Sequence, residues 1–141
     1  MANAHATIGA LKNRIGLAEE TEANVREALR LSPRDPHVFY WLLFVGVANS
    51  LLGRHDEAIA WLRRSIEANR NNPMSHFFLA AASALLGRSE EARTAARAGL
   101  ALNPQFTISR FRASLWMDTP TYPDGRERIV NGLRMAGIPE Q

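Results

Sequence analysis

The sequence contains no cysteine, a single lysine (Lys12) and no long apolar run. The first absence excludes a disulfide framework, a thiol nucleophile and a cysteine-based zinc site together. The second means that 16 of the 17 basic residues are arginine, so the isoelectric point near 10.2 reflects that choice more than an excess of base. A dominant charge is also missing. Seventeen basic residues face 14 acidic ones, and the net +3 divides into 0 over residues 1–35, +2 over 36–103 and +1 over 104–141. Chains that bind nucleic acid concentrate their bases on one face or tail. Here Arg63-Arg64 is the one adjacent basic pair, so no nucleic-acid partner is expected. The most apolar stretch, Phe39 to Ala48, has ten residues, where a membrane span needs roughly 20. The segment from Met1 to His5 lacks the basic and apolar regions of a secretory signal. A soluble, cytoplasmic protein without a membrane partner is expected.

What is present is 46% apolar and 22% charged over 141 residues, the composition of one globular domain that buries a core without staples. Within it lies a repeat. When the sequence is slid along itself, one shift brings Phe44 onto Phe78, Ala48 onto Ala82, and the run Leu51-Leu52-Gly53-Arg54 onto Leu85-Leu86-Gly87-Arg88. The same shift brings Glu57-Ala58 onto Glu91-Ala92, Arg63 onto Arg97 and Asn69 onto Asn103, giving ten identities between 44–69 and 78–103. Background composition gives about two.

Each copy reads as helix, tight turn, helix. An alanine-rich apolar run ends at a glycine that supplies the left-handed residue of a helix stop. An acidic pair, Asp56-Glu57 or Glu90-Glu91, then occupies the first turn of the next helix, where carboxylates suit the positive end of its dipole. Ala58 and Ala92 mark a close helix crossing. A weaker copy precedes these, with Gly16, Glu20 and the run Ala28 to Pro33; Gly16 stands slightly further from Gly53 than Gly53 does from Gly87. Pro33, Pro36, Pro73 and Pro104 fall between the helix pairs, where proline stops one helix or opens the next.

This period, about 34 residues, with its glycines, alanines and inter-repeat prolines, resembles that of the tetratricopeptide repeat family. The resemblance implies an all-α superhelix with repeats in residues 1–104, at about 3–33, 36–70 and 73–104. Leu42 and His76 depart from the family's frequent tryptophan, and Arg70 from an expected proline. Residues 105–141 leave the repeat. Gln105 to Leu115 reads as a short helix capped by Thr107, Met117 to Pro123 as a loop, and Asp124 to Ala136 as a helix with Ile129, Val130 and Leu133 on one face. A divergent capping pair of this kind covers the last apolar face of a solenoid.

The wording of 103–113 and 126–140 further resembles the tail that closes tetratricopeptide regions of bacterial adenylate/guanylate cyclase-like signalling proteins and related winged-helix regulators. In those proteins the catalytic or DNA-binding domain lies upstream of the repeats. Nothing in these residues resembles either domain, so the resemblance implies association with signalling and brings no active site.

Residue chemistry points away from catalysis. His5, His37, His55 and His76 lack the i, i+4 spacing of a metal pair. The carboxylate pairs recur at one repeat position, as dipole complementarity requires and a catalytic dyad does not. Isolated Gly46, Gly53 and Gly87 form no phosphate loop. A non-enzyme without cofactor or metal is expected. Arg63, Arg64, Arg93 and Arg97 fall on second helices, the outer surface of the implied architecture.

The strongest functional signal is apolar. Helix 39–52 is apolar almost all round and helix 74–86 nearly so, whereas a surface helix shows one stripe. In the implied architecture these first helices line a concave groove. Tyr40, Leu43 and Val47, with Met74, Phe77 and Ala81, are expected to face it, each set stepping by three or four residues. Leu43, Val47 and Phe77 stand where a clamp for acidic chaperone peptides needs lysine, arginine or asparagine. The expected function is protein–protein interaction, with an apolar helix or peptide of a partner in the groove. The alternatives are a homodimerisation unit, with a second copy on that face, and a small-molecule or nucleotide sensor. Internal cover by the segment 105–141 would use the face up within the chain.

Overall fold

The computed structural model describes residues 18–114 and 122–141. Among them the elements are all helical: α1 (Ala18–Leu31), α2 (Val38–Leu51), α3 (His55–Ala68), α4 (Pro73–Leu85), α5 (Ser89–Leu102), α6 (Ile108–Arg112) and α7 (Pro123–Met135). The fold is an all-α helical repeat. The first half of the earliest expected pair, residues 3–17 with Gly16, lies outside the described residues, as do Leu115 and 117–121 of the expected loop.

The two clear copies are the hairpins α2–α3 and α4–α5. Gly53 and Gly87 both have φ of 78°, left-handed as the sequence requires. Each lets the chain reverse while the carbonyls ending the first helix stay bonded. Arg54 N–H donates to Asn49 O at 2.8 Å and Gly53 N–H to Ser50 O at 3.1 Å. The second turn repeats this pair, Arg88 N–H to Ser83 O at 2.9 Å and Gly87 N–H to Ala84 O at 3.0 Å. The acidic pairs sit in the first turns of α3 and α5, as expected.

The all-round apolarity of α2 is explained by cover on several sides. Trp41, Leu42 and Val45 pack with Val25 and Ala28 of α1 and Trp61 of α3. Leu43, Val47 and Leu51 belong to a second cluster that continues through α4 and α5 to Phe111 of α6 and Ile129, Val130 and Leu133 of α7. The guanidinium group of Arg26 lies 4.9 Å from the Trp61 ring and links α1 to α3, while Arg64 of α3 itself lies 4.6 Å from the same ring. Exposed ion pairs link the repeats, Arg63 to Glu91 at 2.8 Å and Arg88 to Asp56 at 3.4 Å. Such pairs contribute about 0–1 kcal/mol each, so the buried side chains hold the stack.

Two boundaries in the tail differ from the expectation. The helix expected from Gln105 begins only at Ile108, because Asn103 to Phe106 forms a turn (Phe106 N–H to Asn103 O, 3.2 Å). Thr107 caps it as expected, its Oγ1 accepting from Arg110 N–H at 3.1 Å. Pro123, expected in a loop, is the first residue of α7, where its missing N–H is no loss.

Candidate interaction groove

The six expected groove residues part company. Tyr40 is 41% exposed, its ring tilted against Phe39 and stacked against Phe44. Met74 is half-buried and lines a cleft with Phe106, Phe111 and Ser114. Leu43, Val47, Phe77 and Ala81 are buried. They form no open wall. Phe77 turns into its own repeat, where a Cβ on Gly99 would lie 2.6 Å from the ring, and it stacks on Phe106 with centroids 3.7 Å apart. Leu43, its counterpart one period earlier, is fully buried at the same repeat position.

Ala81 is buried for a different reason: α7 lies on it. A Cβ on Gly132 would stand 2.6 Å from the Ala81 carbonyl oxygen, and one on Gly125 would fall on the carbonyl of Leu51. Gly125 and Gly132 are seven residues apart, two helical turns, and therefore on one face. Without side chains there, the backbone of α7 rests directly on the first helices α2 and α4. Ile129, Val130 and Leu133 fill the space between. Each contributes about 1.5–3 kcal/mol by leaving water. The cover over the first helices is thus the chain's own C-terminal helix, one of the arrangements that the apolar pattern left open.

Polar groups set the position of α7 without dominating its energy. Arg128 donates to the carbonyl of Leu51 at 3.3 Å, a cation at the negative end of α2. Arg112 holds Glu127 through two bonds of 2.8 and 3.2 Å and keeps that carboxyl below its ordinary value. Arg134 donates through its Nε to Glu140 and likewise keeps that carboxyl below its ordinary value. Tyr122 donates to Glu19 at 2.7 Å, tying the start of α7 to α1 and lowering the Glu19 carboxyl. The backbone of Tyr122 has φ of 56°, left-handed for a residue with a side chain, which costs about 1–2 kcal/mol. Beyond α7, the carbonyls of Pro139 and Glu140 each accept, at 2.9 Å, from Ile108 and Ser109 N–H, the first free donors of α6.

The apolar pattern alone does not place α7, although a signal exists. His55, Ser89 and Pro123, the first residues of α3, α5 and α7, are evenly spaced, one repeat period apart. By period α7 is therefore a second helix, yet it packs on the first helices of preceding repeats, α4 and α2. A glycine at i and i+7 on an otherwise amphipathic helix is the local sign of backbone contact.

Two of the four histidines have structural partners. His37 Nδ1 lies 3.0 Å from Asp35 Oδ1, and His76 Nε2 lies 2.9 Å from the Arg70 carbonyl. His5 is outside the described residues. His55 Nδ1 is buried without a hydrogen-bond partner, and burial, with Arg128 second, holds the imidazole below its ordinary value against the pull of Asp56. No group of three histidine or acidic side chains among the described residues could hold a metal ion. No described helix is long and apolar enough to cross a membrane.

Family models of the tetratricopeptide repeat match residues 42–72 and 73–98. No curated protein matches the chain. Tetratricopeptide repeats generally mediate protein–protein interaction and are typically non-catalytic. The matched segments meet between α3 and α4 and take in both glycine turns. Residues 42–98 carry two consecutive tetratricopeptide repeats.

Proposed function

We propose that this chain is a non-catalytic protein-interaction module, the regulatory or oligomerisation part of a cyclase-like signalling protein. One observation carries the reading of a binding face. The first helices α2 and α4 present a shared apolar surface, of which α7 covers the part from Leu51 to Ala81 while Tyr40 stays 41% exposed. An aromatic with an apolar body and a polar tip is a common anchor at protein interfaces. A partner's apolar helix or peptide would engage the concave side from this end, with Met74 beside it. The signalling context rests on the resemblance of 103–113 and 126–140 to the tails of cyclase-like proteins.

The test is a photo-crosslinking residue at Tyr40 in the full-length native protein, with Arg97 on the outer surface as the control position. A discrete adduct to one protein, absent from the Arg97 control and weakened by Met74→Glu, supports the reading. Adducts of equal yield from both positions contradict it. Light scattering across a dilution series then distinguishes a second copy, seen as a persistent dimer, from a foreign partner.

A further inference from the structure

We infer that α7 is an exchangeable occupant of a helix-binding groove, and that the groove accepts in trans a partner helix built on the same face. That face has glycine at i and i+7, branched aliphatics at i+4 and i+8, and a cation at i+3. In this chain these are Gly125, Gly132, Ile129, Leu133 and Arg128. The two glycines set backbone against the carbonyls of Leu51 and Ala81, and Arg128 reaches the carbonyl of Leu51 at the end of α2. The requirement is specific. A β-branched or larger residue at i+7 has no room, because even a methyl group at Gly132 meets the Ala81 backbone at 2.6 Å.

Several features make α7 separable from the repeats beneath it. Among the described residues it is the second-position helix, by period, that packs on the first helices of preceding repeats, α4 and α2. Its 13 residues include a proline and two glycines, a composition with little helical preference of its own. The residue before it holds a left-handed backbone without being glycine. Its polar fastenings, Arg112 to Glu127, Arg134 to Glu140 and Tyr122 to Glu19, are at exposed positions where water and salt compete. The carbonyls of Pro139 and Glu140 also bond the first N–H groups of α6, so the tail and α6 loosen with it. A short helix attached in this way opens below the global unfolding free energy. What it uncovers is a face already shaped for a helix. Any biological use of this opening rests on the interaction reading above, but the opening belongs to the chain alone and is tested without a foreign partner.

The probe is a fluorescent peptide of residues 122–141 added to the full-length chain. It is expected to bind saturably, with an observed rate that levels off at the opening rate of α7. A full-length Gly132→Val variant, whose own α7 is displaced more often, should bind it about tenfold more tightly or better, because a larger fraction is competent. A peptide carrying Gly132→Val should not bind. Failure of the unmodified peptide to bind both the native chain and the folded variant overturns the inference, as does equal binding of the two peptides. If the full-length variant does not fold, hydrogen exchange on the native chain decides. Amides of α7 exchanging about tenfold or more faster than those of α4 support separate opening. Exchange of both at one rate means that α7 leaves only when everything unfolds, which contradicts it.

Discussion

The two repeats share a period and turn geometry but fill their interiors in opposite ways. In the first, the glycine is on the first helix and the large side chain on the second: a Cβ at Gly46 would stand 2.6 Å from Leu62. In the second, the large side chain is Phe77 on the first helix and the glycine is Gly99 on the second. One period after Gly46 and Leu62 stand Ala80 and Ala96, and one period before Phe77 and Gly99 stand Leu43 and Ser65. The volume between the paired helices moves from one helix to the other while the crossing remains. Identity of sequence at turns therefore goes with freedom in the core, provided that the facing residue compensates.

The second difference is polar. Ser65 occupies the place of Gly99, and its hydroxyl donates to the carbonyl of Phe39 at 2.7 Å and lies 2.8 Å from the hydroxyl of Ser75. Asn72 Nδ2 in turn donates to Ser75 at 3.1 Å. This buried chain joins the start of α2 to α3 and α4. The second repeat has an aromatic stack, Phe77 on Phe106, at the corresponding level.

Breaking the comparison at its largest side chain gives the largest effect. Phe77→Ala empties the space beside Gly99 and removes the stack with Phe106, and should lower stability by about 3–5 kcal/mol in urea titration. The compensation within the first repeat is tested by a double-mutant cycle. Leu62→Ala alone should cost about 2–5 kcal/mol, and Gly46→Ala alone about 1–3 kcal/mol through overpacking. Together they recreate the Ala80 and Ala96 pair of the second repeat and should cost at least about 1 kcal/mol less than their sum. Strict additivity would show that these side chains do not compensate each other. Ser65→Ala leaves the carbonyl of Phe39 without this donor, and about 1–2 kcal/mol should be lost in the same titration.

The smallest effect is a pH dependence confined to the first repeat. Its second helix begins at His55, whereas the next begins at Ser89. The His55 imidazole is held below its ordinary value, chiefly by burial and then by Arg128. Protonation therefore favours the unfolded chain. The stability contributed by this neutral side chain is present above about pH 6.5, the unfolded value, and is lost progressively as pH falls through the folded one. The melting temperature should fall between about pH 7 and 5, and His55→Gln should flatten that interval. An unchanged slope in the variant would assign the dependence elsewhere.

Much of this fold is written locally. Gly53 and Gly87 fix the two turns, the acidic pairs mark helix starts, and the repeat period gives the stacking. The groove is less legible because helical periodicity states which residues share a face but not what that face meets. Leu43 and Phe77 satisfy the spacing of a groove lining, yet Phe77 points into the repeat because Gly99 leaves it room, and Leu43 is buried in the same core cluster. Tyr40 and Met74 keep some exposure because α7 crosses the other end of the same helices, between Leu51 and Ala81. The fit of α7 depends on glycines whose role appears only when the opposing carbonyls are placed. A glycine seven residues from another reads in sequence as a weak helix, and in the fold as a backbone contact.

The central claim is that the C-terminal helix lies on the first helices of the repeats. The direct measurement is nuclear Overhauser contacts in the native full-length chain. The account predicts cross-peaks from the Gly132 α-protons to the α-proton of Ala81 and from those of Gly125 to that of Leu51, where the backbones approach. Their absence, together with contacts from α7 to α6 alone, the first helix of its own pair, would place α7 as an ordinary second helix and contradict the account.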